Sequence, residues 1–232
     1  MKNILIHGLG QNHKSWNETI KFLEIDNIDV LCPALFKMSS GNSNDYQNIF
    51  SSFSDFCNNQ EGKLNLCGLS LGGILALDYV KKYPEKVNSI IIIGTPYDIP
   101  KVLFKIQSMI FHFMPDSQFN DMGCSKKDFI TLVNSMSNHN IKNGLDKINC
   151  KSLILCGSKD KANMKSAKQI SQSIRKSEFK IVKDSSHEVN VDNPKELAHI
   201  IYNFGRNFCN ANDEVYLSPD DGKKQKNDRP NI

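Results

Sequence analysis

The amino-acid sequence predicts an α/β fold, in which a parallel sheet of about six strands is covered by helices on both faces. Short apolar runs and longer amphipathic segments alternate along the chain, which is typical of parallel strands joined by helical crossovers. The apolar runs are continuous in hydrophobicity, as expected for strands that are buried on both faces. The predicted strands are residues 4–7, 30–32, 64–67, 90–93, 153–156 and 179–182.

The segments between these runs have the spacing of amphipathic helices. Apolar side chains recur at helical spacing from Tyr46 to Cys57, behind a predicted N-cap at Asn44. Residues 71–82 are also predicted to form a helix, because Pro84 ends the pattern and two lysines lie in the last turn, near the negative end of the helix dipole. Further helices are predicted around residues 167–174 and 197–208.

The interval between residues 95 and 150 is about twice as long as a plain crossover requires. It contains two strongly apolar helical segments, at residues 102–114 and 129–136. We therefore expect a small helical lid inserted at about residues 95–150. The alternative is that both helices are ordinary packing layers of the fold.

Composition and charge are those of an ordinary globular domain. Of the 232 residues, 39% are hydrophobic and 23% are charged, and this length suits one domain with a modest insertion. The formal net charge of +4 is small and spread along the chain, which argues against nucleic acid as a partner. The composition turns polar at the end of the chain, so residues 210–232 are predicted to be a disordered tail.

The cysteines and the start of the chain predict a cytoplasmic location. The seven cysteines are scattered, and none forms a C-x-x-C pair, so we expect reduced thiols and no zinc site. We expect no signal peptide, because the apolar run after Met1 is too short. We also expect no membrane attachment, because no apolar run is long enough to span a bilayer.

A G-x-S-x-G motif occupies residues 68–72, where a predicted strand ends and a predicted helix begins. In a nucleophile elbow the serine occupies a strained strand-to-helix turn, and glycines two positions to either side let the neighbouring backbone approach closely. Ser70 is therefore the candidate catalytic nucleophile. The alternative is an ordinary glycine-rich turn between a strand and a helix.

The loop after the first predicted strand has the sequence H-G-L-G at residues 7–10. Acyl transfer needs two preorganised N–H donors for the oxyanion, one from the residue after the nucleophile and one from a neighbouring loop. The backbone N–H groups of Leu71 and Leu9 are the candidates. A dinucleotide-binding motif is disfavoured, because His13 stands where the third glycine should be. We expect His7 to hold the loop by hydrogen bonds and not to act as a base.

Two candidate catalytic residues, Asp160 and His187, follow the fifth and sixth predicted strands. The carboxyl ends of parallel strands lie at one edge of a sheet, so both side chains are predicted to converge there with Ser70. The order Ser, Asp, His along the chain is the order expected for a nucleophile elbow. Asp98, just after the fourth strand, is the second candidate for the acid.

Together these motifs resemble the α/β-hydrolase superfamily over residues 1–209. The resemblance depends on H-G-L-G with Trp16 shortly after it, on G-L-S-L-G-G from residue 68, on G-S-K-D ending at Asp160, and on His187 followed by Pro194. It implies an α/β-hydrolase domain similar to small serine carboxylesterases, including acyl-carrier-protein methyl ester esterases and lactonase-like members. These proteins usually begin with two antiparallel strands, for which the residues before His7 leave no room. We therefore expect a shortened sheet.

The expected reaction is a two-step acyl transfer from a small ester or thioester to water. His187 takes the proton of Ser70, and Asp160 keeps the imidazole in the required tautomer. The reaction needs no metal and no cofactor. Lactone or carbon–carbon bond hydrolysis by the same triad is an alternative, as is a non-catalytic ligand-binding protein on this fold. The sequence leaves the oligomeric state, monomer or weak dimer, open.

Residues 102–114 carry more large apolar side chains than one helix face can bury against a sheet. We expect part of this surplus, with Met109 and Phe113 as candidate lid residues, to contact the acyl group of the substrate. The alternative is that these side chains pack only against one another and against the second helix of the insertion.

Overall fold

The computed structural model describes residues 1–25, 27–38, 43–98 and 114–206. Within these residues, six parallel strands form one sheet in the order β2-β1-β3-β4-β5-β6. The strands are β1 (Lys2–Ile6), β2 (Val30–Leu31), β3 (Leu64–Leu69), β4 (Val87–Ile93), β5 (Lys151–Gly157) and β6 (Ser177–Val182). The predicted α/β fold and its six parallel strands are confirmed.

Helices follow most strands and cover both faces of the sheet. In the described residues they are α1 (Asn17–Ile25), α2 (Leu35–Met38), α3 (Tyr46–Asn58), α4 (Leu71–Lys82), α5 (Asp116–Asp121), α6 (Lys126–Ser135), α7 (Met164–Ser173), α8 (Val189–Asp192) and α9 (Pro194–Arg206). The helix predicted for residues 71–82 is confirmed with the same bounds. None of the helices in these ranges is long and apolar enough to cross a membrane.

The strands alternate their side chains between two hydrophobic clusters. In β1, Ile4 and Ile6 pack into the cluster that contains α3, α4 and α6, whereas Leu5 packs into the cluster that contains α1 and α9. All three side chains are fully buried. This continuous apolar run therefore packs against two layers of helices, as the sequence predicted for all six strands.

The outermost strands differ from this expectation. In β6 the side chain of Ile181 is 43% exposed, and Lys180 beside it is exposed as well. β6 lies at one edge of the sheet and β2 at the other, so each pairs with only one neighbour. The prediction of strands buried on both faces is wrong for β6, because an edge strand has no second neighbour to extend the helix layer over it.

The described part of the predicted insertion packs beside the sheet. Helix α6 contains the apolar residues that predicted the second helix, and Phe129 and Leu132 are buried in the same cluster as α3 and α4. The backbone N–H of Tyr46 donates to Ser135 Oγ at 2.8 Å, which joins α6 to the start of α3. This helix is thus a packing layer, which agrees with the alternative interpretation for that part of the insertion.

A partly buried network around Asp78 joins α4 to the segment after α6. Asp78 accepts a hydrogen bond from Tyr46 Oη at 2.5 Å and pairs with Lys81 Nζ at 2.7 Å. His139 Nε2 lies 2.7 Å from the same carboxylate. These contacts fix the far end of the insertion against α4.

Several predictions concern residues outside the described ranges. Met109, Phe113 and almost all of the first apolar helix of the insertion lie there, and so do residues 207–232 with the predicted tail. The division into a domain of residues 1–209 and a tail therefore stays a prediction. The six cysteines that the structure describes are free thiols, all buried or half-buried.

Candidate active site

Ser70 lies between the last residue of β3 and the first residue of α4, in a strained backbone conformation. Its φ of 52° and ψ of −109° place a non-glycine residue at positive φ, which costs on the order of 1–3 kcal/mol. Its N–H donates to the carbonyl oxygen of Ile93 at 2.8 Å, and its carbonyl oxygen accepts from the N–H groups of Gly73 and Ile74 at 3.0 and 3.1 Å. The surrounding backbone therefore holds the turn in place.

The glycines of the G-x-S-x-G motif are required by close backbone contacts. A Cβ atom on Gly68 would lie 2.3 Å from the carbonyl oxygen of Gly72. A Cβ atom on Gly72 would lie 2.2 Å from the carbonyl oxygen of Ile6, in the neighbouring strand β1. A side chain at either position would clash with the backbone. The two glycines therefore let the first turn of α4 lie directly against the sheet.

Asp160 and His187 form a hydrogen-bonded pair at the carboxyl edge of the sheet. Asp160 follows β5, His187 follows β6, and Asp160 Oδ2 lies 2.9 Å from His187 Nδ1. The Asp160 side chain is 4% exposed and the His187 side chain is 41% exposed. Since an ionised carboxylate only accepts hydrogen bonds, Nδ1 carries the proton and Nε2 is left as the basic nitrogen.

The backbone of Ile93 and Gly94, at the end of β4, connects the serine to this pair. Ile93 accepts the hydrogen bond from Ser70, as described above. A Cβ atom on Gly94 would lie 3.0 Å from His187 Nδ1 and 3.3 Å from Asp160 Oδ2. Ser70 and the Asp160–His187 pair therefore lie against consecutive residues, the last residue of β4 and the glycine that follows it.

The H-G-L-G loop lies on the other side of Ser70. A Cβ atom on Gly8 would lie 3.5 Å from the Cβ atom of Ser70, so the backbone that leads into Leu9 passes beside the serine. Leu71 is the first residue of α4, where backbone N–H groups have no partner within the helix. Gly8, the residue before Leu9, and Leu71 thus both lie next to Ser70.

His7 holds this loop and is not positioned as a base. The N–H of Leu35 donates to His7 Nε2 at 3.3 Å, so Nδ1 carries the proton and donates to the carbonyl oxygen of Gly8 at 3.0 Å. His7 is 1% exposed, and burial lowers its pKa to about 4. The ring is therefore neutral at physiological pH and serves the structural role that the sequence predicted.

Comparison with known proteins identifies the family. A model of the alpha/beta hydrolase fold family matches residues 4–123, just over half of the chain. The chain belongs to the α/β-hydrolase family. The match includes the H-G-L-G loop, the serine turn and β4 with Gly94 after it, which are parts of the site described above.

Individual relatives of this α/β-hydrolase are distant in sequence. The chain is 20% identical over 250 residues to the monoacylglycerol lipase ABHD6 of Mus musculus, and the alignment covers 87% of the chain and 74% of that protein. An esterase from Thermogutta terrifontis superposes with a TM-score of 0.74 at 19% identity, over 89% of this chain and 90% of that one. An enol-lactonase from Burkholderia xenovorans LB400 superposes with a TM-score of 0.78 at 12% identity, over 88% and 91%. At these identities the comparison with the two solved structures shows a shared fold.

The structure adds Asn163, which sequence reasoning missed. Its side-chain amide donates to both carboxylate oxygens of Asp160 at 3.0 Å, and its backbone N–H donates to Oδ1 at 3.1 Å. The same amide nitrogen lies 3.2 Å from His187 Nδ1. In the sequence, the only feature that could have indicated this role of Asn163 is its place three residues after the candidate acid, shortly before the helix predicted around residues 167–174.

A second missed feature is the buried amide pair of Gln11 and Asn190. The two side chains exchange reciprocal hydrogen bonds of 3.2 Å, across 179 residues of sequence. Asn190 also donates to the carbonyl oxygen of Ser15 at 3.0 Å. Gln11 directly follows the H-G-L-G loop and Asn190 comes three residues after His187, so the pair connects the two loops that border the site.

The second candidate for the acid lies elsewhere. Asp98 is 70% exposed and pairs with Lys142 Nζ at 2.6 Å, whereas the partner of His187 is Asp160. The structure therefore favours Asp160 over Asp98 as the candidate acid. Within the described residues, no group of three or more His, Cys, Asp or Glu side chains is arranged to hold a metal ion.

Proposed function

We propose that this α/β-hydrolase is a serine hydrolase that cleaves a carboxylic ester or thioester of a small acyl substrate. Ser70 is the nucleophile, His187 the base and Asp160 the acid of the triad. The observation that carries the proposal is the contact of Ser70 and of the Asp160–His187 pair with the consecutive residues Ile93 and Gly94. A strained serine and a paired histidine at one sheet edge are the arrangement that nucleophilic acyl transfer requires.

The proposed reaction has two steps. As Ser70 Oγ attacks the acyl carbonyl carbon, its proton passes to His187 Nε2, because Nδ1 is already bonded to Asp160. The carbonyl oxygen becomes an oxyanion, which the N–H groups of Leu9 and Leu71 stabilise. His187 then protonates the leaving alcohol or thiol. In the second step His187 takes a proton from the water molecule that attacks the acyl-enzyme, and it gives this proton to Ser70 Oγ as the acyl–oxygen bond breaks and the acid leaves.

The charge of Asp160 supports this role. Burial alone would raise the pKa of its carboxyl group, but hydrogen bonds from His187 and Asn163 outweigh burial and hold the pKa below its usual value. The group is therefore ionised at neutral pH, where it stabilises the imidazolium form of His187 that appears in the transition state.

A fluorophosphonate probe tests the nucleophile. The wild-type protein should be labelled at Ser70 and should hydrolyse p-nitrophenyl esters, whereas Ser70→Ala should be unlabelled and lose activity by a factor on the order of 10⁴. Ser51→Ala, which changes an exposed serine of α3, is the matched control and should keep both properties. Circular dichroism checks that the variants are folded.

Two outcomes would contradict the proposal. If Ser70→Ala retains more than about a tenth of the activity, Ser70 is not the nucleophile. If the folded wild-type protein is neither labelled nor active on any ester, the chain is better described as a ligand-binding protein on this fold.

A further inference from the structure

A cavity of about 250 Å³ lies beside the H-G-L-G loop, between that loop, α2 and the turn that follows α5. Its walls include His7 from the loop, Asn12 and His13 from the turn that follows it, and Lys37 from α2. The turn after α5 closes it, since a Cβ atom on Gly123 would lie 3.8 Å from the Cβ atom of Asn12. Its size suits a small chemical group or one end of a small molecule.

The lining of this cavity is basic. Lys14 and Lys37 contribute two ammonium groups, and Asn120 is a further polar residue. None of the lining residues that the structure gives is Asp or Glu. Both lysines are exposed, so their flexible side chains reach the mouth of the cavity from water at little desolvation cost.

The charge of the two lysines selects the kind of occupant. An ammonium group attracts negative charge, and none of the lining residues that the structure gives brings a carboxylate to neutralise it. The lining therefore favours an anionic occupant.

The cavity is close to the reacting atoms. Gly8 packs against Ser70, and His7, the residue before Gly8, lines the cavity. Ser70 and the cavity thus lie against two consecutive residues of the same short loop, Gly8 and His7.

We infer that this cavity binds a carboxylate group of the substrate, so that the preferred substrates are esters or thioesters carrying a second, anionic end. The inference rests on the proposed function, because it assigns a substrate class to the same site. Lys14 and Lys37 supply the charge, and Asn120 supplies a polar contact. Neutral esters of the same length lack the group that these residues bind.

Two pairs of esters test the inference on the wild-type enzyme. Mono-p-nitrophenyl adipate and p-nitrophenyl hexanoate differ by a carboxylate at the end of the acyl chain. 4-Carboxyphenyl hexanoate and phenyl hexanoate differ by a carboxylate on the leaving group. To correct for intrinsic reactivity, kcat/KM of each ester is divided by its second-order rate constant for hydrolysis by hydroxide. We expect the corrected value to be about tenfold higher for the anionic ester in one of the two pairs. The pair that shows this difference identifies which end of the substrate enters the cavity.

Lysine variants locate the preference. Lys14→Gln and Lys37→Gln should each reduce the anionic-to-neutral ratio about threefold, as loss of a partly exposed ion pair implies. Lys63→Gln is the matched control. This exposed lysine directly precedes β3, so it lies at the amino edge of the sheet, whereas the candidate site lies at the carboxyl edge. Raising the salt concentration to 0.5 M should also lower the ratio.

Equal rates within both pairs, or a ratio that the two lysine variants leave unchanged, would overturn the inference while the hydrolase proposal stands. If no ester is hydrolysed, the hydrolase proposal fails, and calorimetry with monomethyl adipate and methyl hexanoate decides on the cavity. Tighter binding of the anionic ester would support a carboxylate site, and equal binding would overturn it.

Discussion

At Asp160, two opposing effects set the charge of one side chain. Withdrawal from water disfavours the carboxylate, and the hydrogen bonds from His187 and Asn163 favour it. The hydrogen bonds prevail, so the side chain stays ionised although it is almost completely buried. A carboxylate held by fixed donors also keeps a fixed orientation, which is what the imidazole of His187 needs from its partner.

We predict that Asn163→Ala lowers kcat about tenfold and leaves KM nearly unchanged. The variant removes two side-chain hydrogen bonds to the charged Asp160, each of a kind that contributes roughly 1.5–3 kcal/mol, and so loosens the Asp160–His187 geometry. The side chain of Asn163 makes no capping bond to α7, so the helix itself should not be weakened.

Steady-state kinetics with p-nitrophenyl esters measure this effect, and the thermal midpoint shows whether the fold is affected. Asn203→Ala, on the exposed side of α9, serves as the control for loss of an asparagine side chain. An unchanged kcat would show that Asn163 does not position the pair.

The sequence allowed some of these residues to be predicted and not others. Ser70 is marked by a motif, and Asp160 and His187 are marked by their places after predicted strands. Asn163 and Gly94 carry no such mark, because their importance depends on contacts between loops that follow different strands. A single sequence does not show which side chains meet across a sheet edge.

The loops after β1 and β6 are joined by Gln11 and Asn190, although three strands separate β1 from β6 in the sheet. Both residues are buried, and Thr19 of α1 adds a hydrogen bond from Oγ1 to the carbonyl oxygen of Asn190 at 3.3 Å. One loop carries the proposed oxyanion donor Leu9 and the other carries His187. The amide pair therefore fixes the distance between two halves of the proposed site.

We predict that Gln11→Ala and Asn190→Ala each lower kcat and destabilise the protein by about 1–3 kcal/mol, since each leaves a buried amide without its partner. The double variant should lose much less than the sum of the two, because both substitutions remove the same interaction. Urea unfolding and ester kinetics on the three variants measure the coupling.

Asn65→Ala is the control for this cycle. Asn65 bonds with Asn3, Asn88 and Ser89 in a polar cluster near the amino end of β3, away from the proposed site. It should lower stability and leave kcat unchanged. If Gln11→Ala and Asn190→Ala behave like Asn65→Ala, the amide pair is structural only.

Strands and helices were predictable from the hydrophobic pattern, and their ends were less so. The N-cap of α3 was predicted at Asn44, but the structure places it at Asp45, whose carboxylate accepts from the N–H of Asn48 at 2.9 Å. Either residue type caps a helix well. The choice depends on which residue takes the extended conformation, and that is set by packing of the following turn.

For the molecule as a whole, several buried or bonded groups make stability depend on pH. Hydrogen bonds hold the pKa values of Asp160 and Asp192 below their usual value, so these carboxylates stabilise the folded state until the pH falls below about 4. The titration of His7 changes the stability at a higher pH. Burial lowers its pKa to about 4 in the folded protein, whereas the exposed ring has a pKa of 6.5.

Between these two values the unfolded chain binds a proton at His7 that the folded chain does not bind, so the free energy of unfolding should fall as the pH falls from 7 to 5. With a shift of this size, His7 alone should account for a loss of about 2 kcal/mol over that range. Urea unfolding at pH 7, 6 and 5 measures this loss.

The variant His7→Asn tests the assignment to His7. At pH 7 it should be less stable than the wild type, because the hydrogen bonds to Leu35 and Gly8 are disturbed, but it should lose less stability on acidification. His199→Asn, at an exposed position of α9, should keep the wild-type dependence. Equal slopes for His7→Asn and the wild type would show that the buried ring is not the group that titrates.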